Sequence, residues 1–126
     1  MKKFNKFFFI SILFFVITCK KQHTHIVSIK ASDLQTVLST HSQLQLVDVR
    51  TDEECKEGMI RKALNIDVTS ANFEEKAITL LKKDIPVYIY CRSGGRSIIA
   101  AEMLAEKGFE VYNLEGGYLN WKEENQ

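Results

Sequence analysis

The chain has 126 residues, a length that suits one domain, and its 45% apolar and 26% charged residues are an ordinary globular balance. Its formal net charge is +1; without residues 1–18, which hold three of the 17 basic residues and none of the 16 acids, it is −2. Neither value gives an electrostatic case for nucleic-acid binding.

Residues 1–18 read as an export signal. Lys2, Lys3 and Lys6 precede the apolar stretch Phe7 to Ile17, interrupted only by Ser11. Crossing a bilayer takes about 20 apolar residues. This stretch is shorter and suits the apolar centre of a secretory signal. It has no polar face, which argues against a core helix. Val16-Ile17-Thr18-Cys19 resembles the lipobox of bacterial lipoproteins, with Thr18 where that motif usually carries Gly, Ala or Ser. The resemblance implies a cut before Cys19, a lipid on Cys19, and attachment on the periplasmic side of a bacterial membrane. Lys20, in place of an aspartate, favours the outer membrane. Residues 19–25 form a polar tether in which His23 and His25 lack a third ligand, so no metal site is expected there.

From residue 26 to residue 124 strand and helix patterns alternate. Ile26 to Ile29 is a short β-prone run. Ser32 or Asp33 caps a helix with Leu34, Val37 and Leu38 on one face. Leu44 to Val49 is an apolar strand running into Asp48-Val49-Arg50. A short acidic helix over Asp52 to Glu57 stops at Gly58, and Ala63 to Ile66 is another short strand. Phe73, Ala77, Leu80 and Leu81 have helical spacing. Pro86 opens the strand Val87 to Tyr90, where it costs no mid-strand hydrogen bond. A helix over Ser97 to Lys107, with Ile98, Ala101, Leu104 and Ala105 inward, ends at Gly108. Glu110 to Leu114 is the fifth strand, and a helix runs from Tyr118 to about Glu124. Such alternation implies an α/β fold, with a parallel sheet covered by helices on both faces.

The chemistry concentrates after the fourth strand, in Cys91-Arg92-Ser93-Gly94-Gly95-Arg96-Ser97. Ligand sites in open α/β sheets lie at the carboxyl ends of strands. Gly94-Gly95 lets successive N–H groups turn inward as an anion nest, and the following helix adds its positive N-terminal end. Arg92 and Arg96 add permanent positive charge. All of these favour a thiolate over a thiol at Cys91. A buried, inert strand-end cysteine is the alternative.

The same residues carry a resemblance to the rhodanese family. CRSGGRS, Cys91 to Ser97, is similar to its active-site loop. Leu46 to Arg50 with Glu53 resembles its "DVR…E" segment. Gly58-Met59-Ile60 and Ala63 to Ile66 resemble its "GHI-x-GA-x-NI" region, and Leu114 to Tyr118 with Trp121 its "L-x-GG…W" end. The resemblance spans residues 26–122 and implies a rhodanese-like fold with a central, mainly parallel five-stranded sheet. It implies a sulfurtransferase in which Cys91 takes sulfur from thiosulfate or a persulfide donor and hands it to a thiol or cyanide. The N–H groups of Arg92 to Ser97 would stabilise the persulfide, Arg92 would attract the donor, and Arg96 would brace the loop, with Asp48 as its partner. Alternatively, Asp48 and Arg50 pair only with each other. No cofactor is implied, the only membrane contact is the lipid anchor, and a monomer is expected.

Met59 stands where the family usually has histidine, and Arg61-Lys62 where it usually has Pro-Gly. Cys55 is either a packed core thiol or a resolving partner for Cys91. Gly116-Gly117 lacks the Lys-Ser/Thr of a phosphate loop and reads as a tight turn; Tyr118 and Trp121 read as packing residues. Two other functions compete. Phosphatases and arsenate reductases of related fold have five residues between cysteine and arginine, and this loop has four, which suits a sulfur atom better than a phosphate. A non-catalytic persulfide or redox-sensing module is the third reading.

Overall fold

Strands joined through helices rather than tight turns cannot form hairpins, so they pair in parallel. The computed structural model describes residues 26–126. The expected signal segment, Cys19, His23, His25 and the tether lie outside the described residues. The strands are β1 (Ile26–Ile29), β2 (Gln45–Asp48), β3 (Leu64–Asn65), β4 (Val87–Tyr90) and β5 (Val111–Leu114). They form one sheet in the order β1-β5-β4-β2-β3, parallel throughout. The helices are α1 (Ala31–Thr40), α2 (Asp52–Lys56), α3 (Phe73–Leu80), α4 (Gly95–Glu106) and α5 (Gly117–Glu124). Among the described residues no helix is long and apolar enough to cross a membrane.

The period-2 geometry of the strands splits the core in two. Val47, Val49, Val87, Ile89, Cys91 and Val111 point to one face, where Phe73 and Ala77 of α3 and Ala100, Ala101, Leu104 and Ala105 of α4 cover them. Leu46, Tyr90 and Leu114 point to the other, under Leu34 and Leu38 of α1, with Tyr118 and Trp121 of α5 packed alongside. β4 lies at the centre of the sheet, and its carboxyl end is where the Cys91 loop begins.

Three expectations change. α1 starts a turn early: Leu34 N–H donates to Lys30 O (3.0 Å), and the cap position is Lys30, so neither Ser32 nor Asp33 caps the helix. Asp33 lies instead in the first turn, where a carboxylate complements the helix dipole. Ile98 is exposed, because the inward stripe of α4 is Ser97, Ala100, Ala101, Leu104 and Ala105. Leu80 also faces solvent, while Leu81, in extended backbone just beyond α3, turns inward.

Lys62 has φ +69°, the left-handed region, in the turn before β3. A side chain there costs about 1–2 kcal/mol, and glycine avoids that cost while losing about 0.4–1 kcal/mol in unfolded-chain entropy. Lys62→Gly is therefore expected to stabilise the fold by about 0.5 kcal/mol, read as a rise of a few degrees in melting temperature. An unchanged or lowered transition by calorimetry would refute the strain argument.

Candidate active site

Cys91 follows β4 and is 1% exposed, packed under α4. Burial by itself pushes its pKa up. Opposing that are the Ser97 hydroxyl and the N–H groups of Ser97, Gly94 and Ser93, and together they hold the thiol below its ordinary value. Gly94 N–H donates to Cys91 Sγ at 3.0 Å. Gly94 can do so because its φ of +119° turns the chain into α4, a conformation side-chain-bearing residues rarely adopt. The same buried Ser97 hydroxyl lies 3.2 Å from Gly94 O, so its single proton serves either the sulfur or this carbonyl.

The outside of the loop is held by α5. Tyr118 N–H donates to Cys91 O (2.9 Å) and Leu119 N–H to Arg92 O (3.1 Å). With its carbonyls engaged outward, the loop is left with N–H groups facing the sulfur. This contact requires glycine at position 117: an added Cβ would lie 2.6 Å from Arg92 O and 2.7 Å from Cys91 O. The double glycine is thus the tight turn expected of it, and it also lets α5 approach the loop.

Arg96 braces the loop, but its partner is not Asp48. Its guanidinium makes two 2.7 Å bonds to Glu54 of α2. Glu54 also accepts from Thr51 N–H (3.0 Å) and, through Thr51 Oγ1, completes the capping box that starts α2. Arg96 is the foremost cause that holds the Glu54 carboxyl at about 2, well under its usual range. The acidic residue that matters in this segment is therefore Glu54, one position beyond Glu53. The capping-box pattern Thr51-x-x-Glu54 at the start of α2 is the signal that marks it.

Asp48 is unavailable to Arg96 because it lies on the opposite face, in register with Tyr90. Its carboxylate is taken by Arg50, with Nη2 to Oδ2 at 2.7 Å and Nε to Oδ1 at 3.0 Å, both residues buried. Arg50 also donates to Gly58 O (2.7 Å) and lies 4.2 Å from the Tyr118 ring centroid. Asp48 and Arg50 pair with each other and steady the helix that supports the loop, without a described bond to Cys91. Tyr118 joins that strut and is more than packing.

Cys55 is buried beside Asp48 and Arg50, and burial first, with the Asp48 charge second, pushes its thiol up to about 12. Both Cys55 and Cys91 are free thiols. Arg92 and Ser93 are exposed, and Arg92 lines a cavity of about 310 Å³ beside the loop. Among the described residues no cluster of His, Cys, Asp and Glu could hold a metal.

A parallel α/β sheet that offers a buried thiol at a strand's carboxyl end, inside inward-facing N–H groups and against a helix N-terminus, defines a cysteine-loop protein shaped for anionic sulfur. The chain belongs to the rhodanese-like domain family, whose family model matches residues 30–124. It is 40% identical over 98 residues to the putative sulfurtransferase YtwF of Bacillus subtilis, across 78% of this chain and 92% of that protein. It is 38% identical over 79 residues to the thiosulfate sulfurtransferase GlpE of Coxiella burnetii, across 61% and 70%. The crystal structure of a rhodanese-like domain protein from Staphylococcus aureus superposes with a TM-score of 0.69 at 33% identity, across 76% and 91%. The expected fold stands.

A lowered thiol pKa means that the reactive anion persists at lower pH than in a free cysteine. Cys91 is expected to alkylate with iodoacetamide at neutral pH while Cys55 stays unmodified until the protein unfolds. Gly117→Ala, which pushes α5 off the loop, should slow Cys91 alkylation by about tenfold at neutral pH. Peptide mass mapping over a pH series checks both; equal labelling of the two cysteines would contradict the assignment.

Proposed function

We propose that the protein is a sulfurtransferase that carries sulfane sulfur as a persulfide on Cys91. The observation that carries this reading is the Gly94 N–H on a buried Sγ whose pKa is lowered by surrounding N–H and hydroxyl donors. The names of the relatives, one a putative sulfurtransferase and one a thiosulfate sulfurtransferase, support it.

With thiosulfate as donor, the Cys91 thiolate attacks the outer sulfur. The new Cys91 S–S bond forms as the bond to the sulfonate sulfur breaks, and sulfite leaves with the electron pair. The negative charge then rests on the outer sulfur. Donors already aimed inward stabilise it without rearranging, the logic of a pre-organised oxyanion site. Arg92, exposed at the mouth, supplies a positive charge to draw in the anionic donor, and Arg96, held by Glu54, keeps the loop in shape. A thiolate or cyanide acceptor attacks the outer sulfur, and Cys91 leaves as the thiolate, ready for the next cycle.

Incubation with thiosulfate should add about 32 Da, one sulfur atom, to the peptide that contains Cys91. Thiocyanate should form on adding cyanide, and Cys91→Ala should abolish both. Thiocyanate production that survives in Cys91→Ala would rule the mechanism out.

The same proposal takes Cys19 as the lipid-bearing first residue of the processed chain, which holds a monomeric domain on the periplasmic side of a bacterial membrane. Cys19 follows the apolar stretch directly, and Lys20 suits the outer membrane. The full chain expressed in a bacterium should incorporate labelled palmitate and fractionate with membranes. Cys19→Ala should lose the label; a labelled Cys19→Ala protein would overturn the anchor.

A further inference from the structure

The two ends of the sheet differ in what they present. All five strands run parallel, and Ile26, Val111, Val87 and Gln45 lie in one register row at the amino end. Cys91 lies four residues beyond Val87, about 13 Å along the strand direction, at the carboxyl end. The segment from Cys19 to Ile26 therefore joins the domain at the end away from the sulfur. Fully extended, that segment reaches about 25 Å at most. A lipid on Cys19 keeps the amino end within that distance of the membrane, yet leaves the domain free to turn.

A leucine-lined hollow of about 180 Å³ lies at the amino end, on the β2–β3 side. Leu44, Leu46, Leu64, Leu80 and Leu81 line it with Gln45, and Lys62 is its one charged residue. Leu64 and Leu80 are 41% and 53% exposed. Gln45 pins the turn after Leu80: its Nε2 donates to Lys82 O (2.8 Å) and Ile85 O (3.0 Å), and its Oε1 accepts from Lys82 N–H (2.6 Å). Arg61 and Lys62 occupy the turn before β3, and Lys82 and Lys83 the turn after α3; Asp84 is the one acid in these two turns. Lys83 Nζ lies 5.7 Å from the Phe109 ring centroid, while Arg61, Lys62 and Lys82 make no salt bridge among the described residues.

Lys62 adds an independent sign of use. It holds a φ of +69°, where glycine would cost less, and it is the residue that brings charge to the hollow. Backbone strain kept at such a position points to a task for its side chain. Exposed leucines beside lysines suit the headgroup boundary of a bilayer, where the apolar groups enter and the ammonium groups meet phosphates. The mouth beside Cys91 is less suited to an anionic surface, because its wall mixes Glu54 and Glu57 with Arg50, Arg92 and Lys122.

We propose that this corner of the domain, Leu64 and Leu80 beside Lys62 and Lys82, docks on the anionic phospholipid surface that holds the anchor. The Cys91 loop then faces away from the membrane and exchanges sulfur with partners in the aqueous phase. This rests on the reading of Cys19 as lipid-bearing.

The test uses the full lipidated chain in phosphatidylglycerol–phosphatidylethanolamine vesicles whose acyl chains carry bromine close to the headgroups, which quenches nearby tryptophan. Leu80→Trp and Leu119→Trp place exposed reporters at opposite ends, and the emission of native Trp121 is subtracted. Quenching is expected for Leu80→Trp and not for Leu119→Trp. Adding Lys62→Glu and Lys82→Glu to Leu80→Trp should lower the docked-to-free ratio at least about fivefold for each lysine and restore the emission. Far-UV circular dichroism of each variant should match the wild type. Quenching of Leu119→Trp alone, of both reporters equally, or of neither overturns the docking, as does quenching that survives both charge reversals. If Leu80→Trp misfolds, wild-type amide exchange decides: slowing by vesicles at residues 61–64 and 80–85 supports the docking, and unchanged exchange there refutes it. A chain that carries no lipid on Cys19 fails the anchor reading instead. Vesicles added to that unlipidated chain then decide the corner alone, with quenching of Leu80→Trp supporting it and its absence refuting it.

Discussion

Burying a negative sulfur is costly, and almost every feature near Cys91 serves to offset that cost. Removing a charge from water is unfavourable unless dipoles or counter-charges replace the lost hydration. Here the replacement is made chiefly of backbone N–H groups from a loop that would not point them inward unaided. The loop is pulled into shape from three sides: α4 starts within it, α5 takes the Cys91 and Arg92 carbonyls, and α2 anchors Arg96 through Glu54. The Asp48–Arg50 pair acts one step further out, fixing Tyr118 and with it the start of α5. Few of these contacts touch the sulfur, yet the donors that do depend on them.

Local patterns made some of this legible in advance. The alternation of short apolar runs and helices was enough for a parallel α/β sheet, and the runs at residues 26–29 and 87–90 correspond to β1 and β4. The Cys91 loop was recognisable because its glycines and arginines fall together in sequence. Helix faces are harder to read from spacing alone. Ile98 is apolar and correctly spaced, but α4 directs Ser97 and Ala100 inward in that turn, and Ser97 belongs there because its hydroxyl serves the loop.

Partners distant in sequence were beyond such reading. Arg96 and Glu54 are 42 residues apart, and choosing Glu54 over Asp48 requires knowing which face of the sheet each carboxylate occupies. The close approach of α5 was equally hidden, since Gly116-Gly117 has the same letters whether it merely turns or also makes room for another segment. The unusual residues in the turn before β3 were visible as departures, and their cost was not. Lys62 keeps the backbone conformation that glycine would adopt there.

The order in which the chain is synthesised gives the α5 contact a further meaning. Cys91 leaves the ribosome well before residues 117–119, and the strand that pairs with β1 is β5, at residues 111–114. Until that stretch is present, β1 lacks its neighbour and the loop lacks its outer clamp, so Cys91 is an ordinary thiol in an incomplete fold. The reactivity of that thiol is thus an emergent property of nearly the whole domain, complete only when residues 111–119 have joined the sheet and closed over the loop.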